Sequence, residues 1–187
     1  MSKSTVLALV GSLRAESTNQ KLAEAIQVNA PEQVEVISHE RLGNIPFYNE
    51  DIDVEGQVPA AAAALRAAAS DADALLLVTP EHNGTIPASL KNAIDWLSRP
   101  FGAGALTGKP TGVVGTAYGQ FGGVWAQDET RKAVGIAGAQ VIEGVKLAVP
   151  GSVVRFAEIH PKDDAEIVGQ IKDVFDAIAE SSPVAAA

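Results

Sequence analysis

The chain alternates short apolar runs with longer segments of helical periodicity, and this alternation constrains its fold more than any other feature. The runs at 4–10 and 74–78 are rich in valine, leucine and alanine. Runs that are apolar at nearly every position are typical of strands buried on both faces, as in a parallel sheet that helices cover on both sides. Three further strands are predicted at 33–38, 109–117 and 141–149.

Segments with apolar residues at helical spacing separate these strands. Pro87 suits the first turn of its helix, and residues 182–187 are expected to fray. Five strands alternating with helices indicate one α/β domain over residues 1–187, with a doubly wound, five-stranded parallel sheet. The predicted helices lie at 17–30, 58–70, 87–97, 124–137 and 163–181.

Composition excludes several functional classes. The 187 residues correspond to about one domain, at roughly 150 residues per domain. A net charge of −9 argues against a nucleic-acid partner, and the lack of cysteine excludes disulfides and thiolate metal sites. No apolar run approaches the roughly 18 residues of a membrane span, and the first apolar run is too short for a secretory signal. We therefore expect a cytoplasmic protein.

In a doubly wound sheet, ligands bind beyond the carboxyl ends of the strands, so the loops after the first, third and fourth strands are the informative ones. The first of these loops, 11–20, carries hydroxyls, amides and one guanidinium before a helix start. A phosphate there could accept hydrogen bonds from Ser12, Ser17, Asn19 and main-chain N–H groups, with a charge-assisted contact from Arg14. The alternative is that Ser17 or Thr18 caps the helix and that Arg14 is solvated.

The loops 79–87 and 115–123 combine rigid and permissive residues. Two prolines stiffen the first of these loops, where Gly84 permits a positive φ or the close approach of a ligand. The amides of this loop, together with one planar side chain, suit a flat heteroaromatic ring. Four glycines in the second loop let a ligand approach the main chain, and Tyr118 offers an aromatic wall. The alternatives are a loop histidine at His82 and a flexible connection with a packed tyrosine.

Other nucleotide, hydrolase and metal motifs do not match. A Gly-x-Gly-x-x-Gly fingerprint is absent after the first strand, and the P-loop pattern fails because Ala103 and Pro110 occupy required positions. No Gly-x-Ser-x-Gly elbow occurs. His39, His82 and His160 lack the spacing of metal ligands, so no metal is expected.

In the residues of these loops, the sequence resembles the NADPH-dependent FMN reductase family of flavodoxin-like proteins. The resemblance is carried by residues 11–14 with 17–19, by 80–87, and by 90–96. It implies a sheet of order 2-1-3-4-5, FMN as cofactor, and NADPH or NADH as co-substrate. The family often has tyrosine where this chain has His82 and serine where it has Thr85. The helix at 90–96 is assigned to packing and association.

The resemblance also implies the cofactor-binding residues, in three groups along the chain. One group holds the phosphate, the next lines the ribityl chain and the isoalloxazine ring, and the last closes the opposite side. The groups are Ser12, Arg14, Ser17, Asn19 and Gln20; then Pro80, Glu81, His82, Asn83 and Gly84; then Thr116, Ala117, Tyr118 and Gly119.

The resulting hypothesis is an FMN-dependent NAD(P)H oxidoreductase that works by ping-pong hydride transfer. Its acceptor would be a quinone, an azo compound, a chromate or ferric species, or free flavin. The alternatives are a flavodoxin-type electron carrier and a cofactor-free hydrolase or binding module. We also expect a homodimer or homotetramer, in which the loop 45–50 or the helix after Pro87 reaches a neighbour's site.

Overall fold

The computed structural model describes residues 3–39 and 42–181, so the tail expected to fray lies outside the described residues. Neighbouring strands pair in parallel, and their order along the sheet is second, first, third, fourth, fifth. This confirms the predicted doubly wound, flavodoxin-like sheet of order 2-1-3-4-5. The strands in the described ranges are β1 (Ser4–Val10), β2 (Val34–Ser38), β3 (Ala74–Thr79), β4 (Pro110–Thr116) and β5 (Gln140–Val149).

The helices confirm the five predicted ones to within a few residues at each end. The expectation that Pro87 lies in the first turn of its helix is wrong. Pro87 lies one position before the helix, with an extended ψ of 143°. A short helix of seven residues and two 3-10 helices were not predicted, because one or two turns are too short to show periodicity. The described helices are α1 (Thr18–Val28), α2 (Ala60–Asp71), α3 (Ala88–Leu97), α4 (Val124–Ile136), α5 (Ser152–Glu158) and α6 (Ala165–Ser181), with 3-10 helices at Leu42–Asn44 and Glu50–Ile52.

Apolar layers cover both faces of the sheet, as the strand sequences predict. Successive side chains of a strand point to opposite faces, so Val6 and Leu7 of β1 belong to different layers. One layer packs against α1 and α6, and the other against α2 and α3, where Trp96 is fully buried. All six residues of β3 are buried. This double burial fixes the strand ends, and with them the loops that leave the sheet.

Candidate functional site

A cleft of about 620 Å³ opens beyond the carboxyl ends of β1, β3 and β4, where the sequence places the ligand. Its volume lies within the range of about 300–1,000 Å³ that is common for small-molecule sites. Four predicted residues, Gln20, Asn83, Gly84 and Gly119, do not line it. The predicted residues that the fold brings together there are Ser12, Arg14, Ser17, Asn19, Pro80, Glu81, His82, Thr116, Ala117 and Tyr118.

One end of the cleft has the features of an anion site. Ser17 is the N-cap of α1, and its Oγ accepts a hydrogen bond from the Gln20 N–H at 3.2 Å. The first N–H groups of a helix have no partner within it, and in the described residues those of Thr18 and Asn19 have none elsewhere. The exposed guanidinium of Arg14 likewise makes no ion pair with any described residue. Helix dipole and guanidinium therefore both favour a negative group here.

Asn19 fastens the start of α1 to the end of β4. Its side chain is 2% exposed; Nδ2 donates to the Thr116 carbonyl at 3.1 Å, and Oδ1 accepts from the Thr116 N–H at 2.9 Å. A chain of hydroxyls continues the contact, with Thr18 Oγ1 lying 2.9 Å from Thr116 Oγ1 and 3.3 Å from Ser152 Oγ. The carboxamide suggested as a phosphate ligand is thus occupied within the protein, which leaves the Asn19 main chain for a ligand.

The loop after β3 contains a tight turn with its own hydrogen bonds. His82 and Thr85 exchange two main-chain hydrogen bonds, both of 3.1 Å. The central residues Asn83 and Gly84 have φ values of 52° and 76°, the combination of a type I′ turn. Of the two roles expected for Gly84, a positive φ or a close ligand approach, the structure shows the positive φ, whereas the turn was missed although Asn-Gly is its usual signal. The turn carries its two central residues away from the cleft and leaves the exposed His82 side chain along the cleft wall.

Glu81 connects this loop to α4. Gly123, the N-cap of α4, has a φ of 81° and no side chain to accept a hydrogen bond from the helix. Glu81 Oε2 accepts one from the Ala126 N–H at 3.2 Å instead. A carboxylate at a helix N-terminus is stabilised by the helix dipole. Glu81 therefore holds the β3 and β4 loops together beside the cleft.

One exposed aromatic side chain, Tyr118, lines the cleft, and two others follow it on the loop and at the start of α4. Tyr118 is 75% exposed, so the alternative of a packed tyrosine is wrong. Phe121 and Trp125 are each more than half exposed, with ring centroids 5.2 Å apart. Val153 of α5 also lines the cleft, and the sequence analysis missed it because α5 itself was missed. Tyr118 and Val153 thus give this part of the cleft an aromatic and an apolar side chain.

The base of α3 closes the cleft beside β1. Ser89 Oγ donates a hydrogen bond to the Gly11 carbonyl at 2.7 Å. A Cβ at Gly11 would lie 2.9 Å from Pro87 Cγ, so only glycine permits this close approach. The predicted cofactor-binding set included neither these three residues nor four other residues that line the cleft. Those four are Leu13, Thr18, Ala88 and Val153.

Residues 3–39 and 42–181 contain neither a group of metal-ligating side chains nor a membrane-spanning helix. These residues contain no group of three or more histidine, aspartate or glutamate side chains arranged to hold a metal ion. Their helices also include none that is long and apolar enough to cross a bilayer.

Comparison with known proteins identifies the family. The model of the NADPH-dependent FMN reductase family matches residues 4–153, most of the chain. The chain belongs to this family. It is an oxidoreductase of flavodoxin-like fold with FMN as cofactor and NAD(P)H as co-substrate.

Relatives agree with this membership. A quinone reductase of Pseudomonas putida is 44% identical over 130 residues, 70% of this chain and 69% of that protein. An NAD(P)H-dependent FMN reductase of Pseudomonas aeruginosa is 34% identical over 174 residues, 92% of this chain and 81% of that protein. The solved structure of the flavoenzyme NAD(P)H:(acceptor) oxidoreductase FerB of Paracoccus denitrificans superposes with a TM-score of 0.79 at 28% identity, covering 96% of this chain and 99% of that one.

Proposed function

We propose that the chain binds FMN in the 620 Å³ cleft and reduces quinones with NAD(P)H by a ping-pong mechanism. The observation that carries this proposal is the arrangement of one continuous cleft. A guanidinium that makes no ion pair with any described residue and a helix N-terminus lie at one end, and exposed imidazole and phenol side chains line its wall. When bound, FMN supplies the redox chemistry, by taking a hydride from the nicotinamide and passing electrons to the acceptor.

The FMN phosphate is assigned to the end of the cleft at α1. Arg14 and the Ser12 hydroxyl line this end, and the Thr18 and Asn19 N–H groups point out of the helix. The Ser17 hydroxyl can still donate its own hydrogen while it accepts from the Gln20 N–H. The Gln20 side chain lines a neighbouring cleft, so we assign it no part in holding the phosphate.

The ribityl chain and the ring are assigned to the rest of the cleft. Pro80 and Ala117 follow the neighbouring strands β3 and β4, and the more exposed His82 and Tyr118 line the same cleft. The His82 N–H is bonded to Thr85, so its main chain has no free donor for the ring. In the described residues the Glu81 N–H has no partner and is the better main-chain candidate. Asn83, Gly84 and Gly119 then act by shaping their loops.

Quinones are the acceptors that the similarity supports first, because the Pseudomonas putida relative carries the name quinone reductase. The exposed Tyr118 ring, which lines the cleft, provides a surface on which a flat apolar acceptor can stack. Azo compounds, chromate, ferric species and free flavin are the further acceptors to compare. A flavodoxin-type carrier shares the fold, but it would not oxidise NAD(P)H directly.

The decisive experiment is anaerobic mixing of the purified FMN-loaded protein with NADPH or NADH. We expect rapid loss of the oxidised-flavin absorbance, followed by its return on adding a quinone. Parallel double-reciprocal plots over a range of both substrates would support the ping-pong order. A flavin inert to both nicotinamides would favour the electron carrier, and a protein that binds no FMN would favour a cofactor-free module.

A homodimer or homotetramer is also proposed, through the loop 45–50. Asn92 holds this loop from α3: its Oδ1 accepts from the Tyr48 N–H at 2.8 Å, and its Nδ2 donates to the Pro46 carbonyl at 3.0 Å. The loop thereby presents Phe47, which is 78% exposed, on a fixed support. Light scattering should show a dimer or larger assembly that Phe47→Ser weakens. A fully active monomer at assay concentration would contradict the proposal.

A further inference from the structure

The pairing of β4 with β5 is irregular near the start of both strands. Its register shifts between Thr111 and Val113, where β5 carries extra residues over the segment 142–145. A Cβ at Gly112 would lie 2.9 Å from Val145 Cγ1, so the two strands approach closely there. A bulge of this kind interrupts the regular ladder of main-chain hydrogen bonds.

The guanidinium of Arg131, on α4, lies at this irregularity. Its Nη2 donates to the Val113 carbonyl of β4 at 3.0 Å and to the Val145 carbonyl of β5 at 3.1 Å, and its Nη1 pairs with the exposed Asp128 at 3.0 Å. The side chain is 12% exposed, and its Nε is buried without a hydrogen-bond partner in the described residues. Buried donors are normally paired, so stabilisation of the fold alone does not account for this arrangement.

The same guanidinium orients the carboxamide of Gln127, one turn earlier on α4. Arg131 Nη2 donates to Gln127 Oε1 at 3.4 Å, and Gln127 Nε2 donates to the Gly122 carbonyl at 3.4 Å. Because a guanidinium has only donors, an inverted carboxamide would set donor against donor and its oxygen against the Gly122 carbonyl. Gln127 is 1% exposed, so water does not compete for these contacts. Arg131 therefore fixes the direction in which Gln127 donates.

The hydrogen bond from Gln127 holds the loop that follows β4. A Cβ at Gly122 would lie 2.7 Å from the main-chain carbonyl carbon of Ala148, so this loop rests directly on β5. The Gly122 N–H donates to the Gly119 carbonyl at 3.2 Å, which closes a turn directly after Tyr118. Since the Tyr118 ring is 75% exposed, its place at the cleft depends on the main chain that carries it.

We propose that Gln127, oriented by Arg131, is a positioning residue for the reduction of the acceptor. It holds the loop 117–122 against β5, so that the Tyr118 ring stays where a flat acceptor stacks. The inference rests on the proposed function, in which a quinone stacks on this ring. Neither Gln127 nor Arg131 lines the cleft, so both act through the loop and not by touching FMN or the acceptor.

The first test is a double-mutant cycle between Gln127 and Tyr118 in the FMN-loaded enzyme. Gln127→Met keeps the length of the side chain and removes both polar atoms. It should lower kcat/KM for a quinone roughly 2- to 12-fold, mainly through KM, as expected for one neutral hydrogen bond. The Kd for FMN should not change. In a Tyr118→Ala background the same change should have no further effect on kcat/KM, because the two residues act through one loop.

A milder variant gives the same test independently. Arg131→Lys keeps the charge but loses the fork that reaches both the strands and Gln127, so it should also lower kcat/KM for the quinone. The matched control is Lys132→Arg, the reverse exchange at an exposed neighbour on α4. Losses that add to that of Tyr118→Ala, or an unchanged kcat/KM in both variants, would overturn the inference.

A measurement without turnover separates this inference from the reductase proposal. Hydrogen–deuterium exchange should be faster in the segment 117–122 of Gln127→Met than in the parent, with the exchange of β1 unchanged. Equal exchange of that segment in the two proteins would overturn the inference, even in an active enzyme. A parent protein that binds no FMN, or that reduces no quinone with either nicotinamide, would instead overturn the proposed function.

Discussion

The floor and the rim of the proposed FMN cleft are built in opposite ways. On the floor, Asn19, Thr116 and Ser152 are almost completely buried and bonded to other protein groups. On the rim, Arg14 and Tyr118 are exposed, and their side chains make no hydrogen bond to any described residue. The floor sets the spacing between strand ends and helix start, whereas the rim is left for the ligand. Floor substitutions should therefore affect folding, and rim substitutions should affect binding.

The largest effect is expected from Asn19→Leu. This change leaves the buried Thr116 N–H and carbonyl without partners, and each unsatisfied group costs about 1–3 kcal/mol. The free energy of unfolding of the FMN-free protein should fall by about 2–6 kcal/mol in urea titration. Gln27→Leu, at an exposed position of the same helix, is the control. An Asn19 variant as stable as this control would show that the floor does not depend on the Asn19–Thr116 pair.

The second prediction concerns the rim. Arg14→Ala should weaken FMN binding roughly 10- to 150-fold, since a hydrogen bond to a charged group is lost. The FMN-free protein should unfold at the same denaturant concentration as the parent, because Arg14 makes no ion pair in the described structure. Lys132→Ala removes an equal charge from an exposed site on α4 and should leave FMN binding intact. If Arg14→Ala instead lowered the free energy of unfolding and left the affinity for FMN unchanged, Arg14 would belong to the floor and not to the rim.

The third prediction concerns the loop that follows β2. An ion pair that does not line the cleft holds this loop in place. Arg66 binds both carboxylate oxygens of Asp53, at 2.6 and 2.7 Å, and this hydrogen bonding lowers the pKa of Asp53. A carboxyl with a lowered folded pKa stabilises the fold above its unfolded pKa, near 3.8, and loses that stabilisation as the pH falls through the folded value.

In Arg66→Met, the loss of stability below about pH 4 should therefore become shallower than in the parent. The readout is urea unfolding at a series of acidic pH values. FMN affinity at neutral pH should not change, since neither residue lines the cleft. An unchanged acid dependence would mean that the pair contributes no pH-dependent stability.

The same contrast explains what the sequence could predict. Strand β3 was predictable because all of its side chains are buried, which requires an unbroken apolar run. The cleft was predictable because strand order places its loops together. The Asn19–Thr116 pair joins positions 97 residues apart, and no local pattern encodes such a contact. Helix α5 was missed because its seven residues follow a glycine with a φ of 60° and show no full period. No sequence motif assigned a role to His39, which is one of three histidines without the spacing of metal ligands.

The smallest effect is expected at His82, the rim residue that departs from the common family pattern. Its side chain lines the cleft without a partner in the described residues, and its turn is held by main-chain bonds to Thr85. His82→Phe should therefore leave the turn and the stability unchanged. If the imidazole donates to reduced FMN, the variant should lower the flavin midpoint potential by about 10–30 mV, the equivalent of one hydrogen bond for two electrons. His160→Phe is the control. Potentials of His82→Phe that overlay those of the parent would make His82 a bystander, as the loop-histidine alternative holds, and would leave the reductase proposal intact.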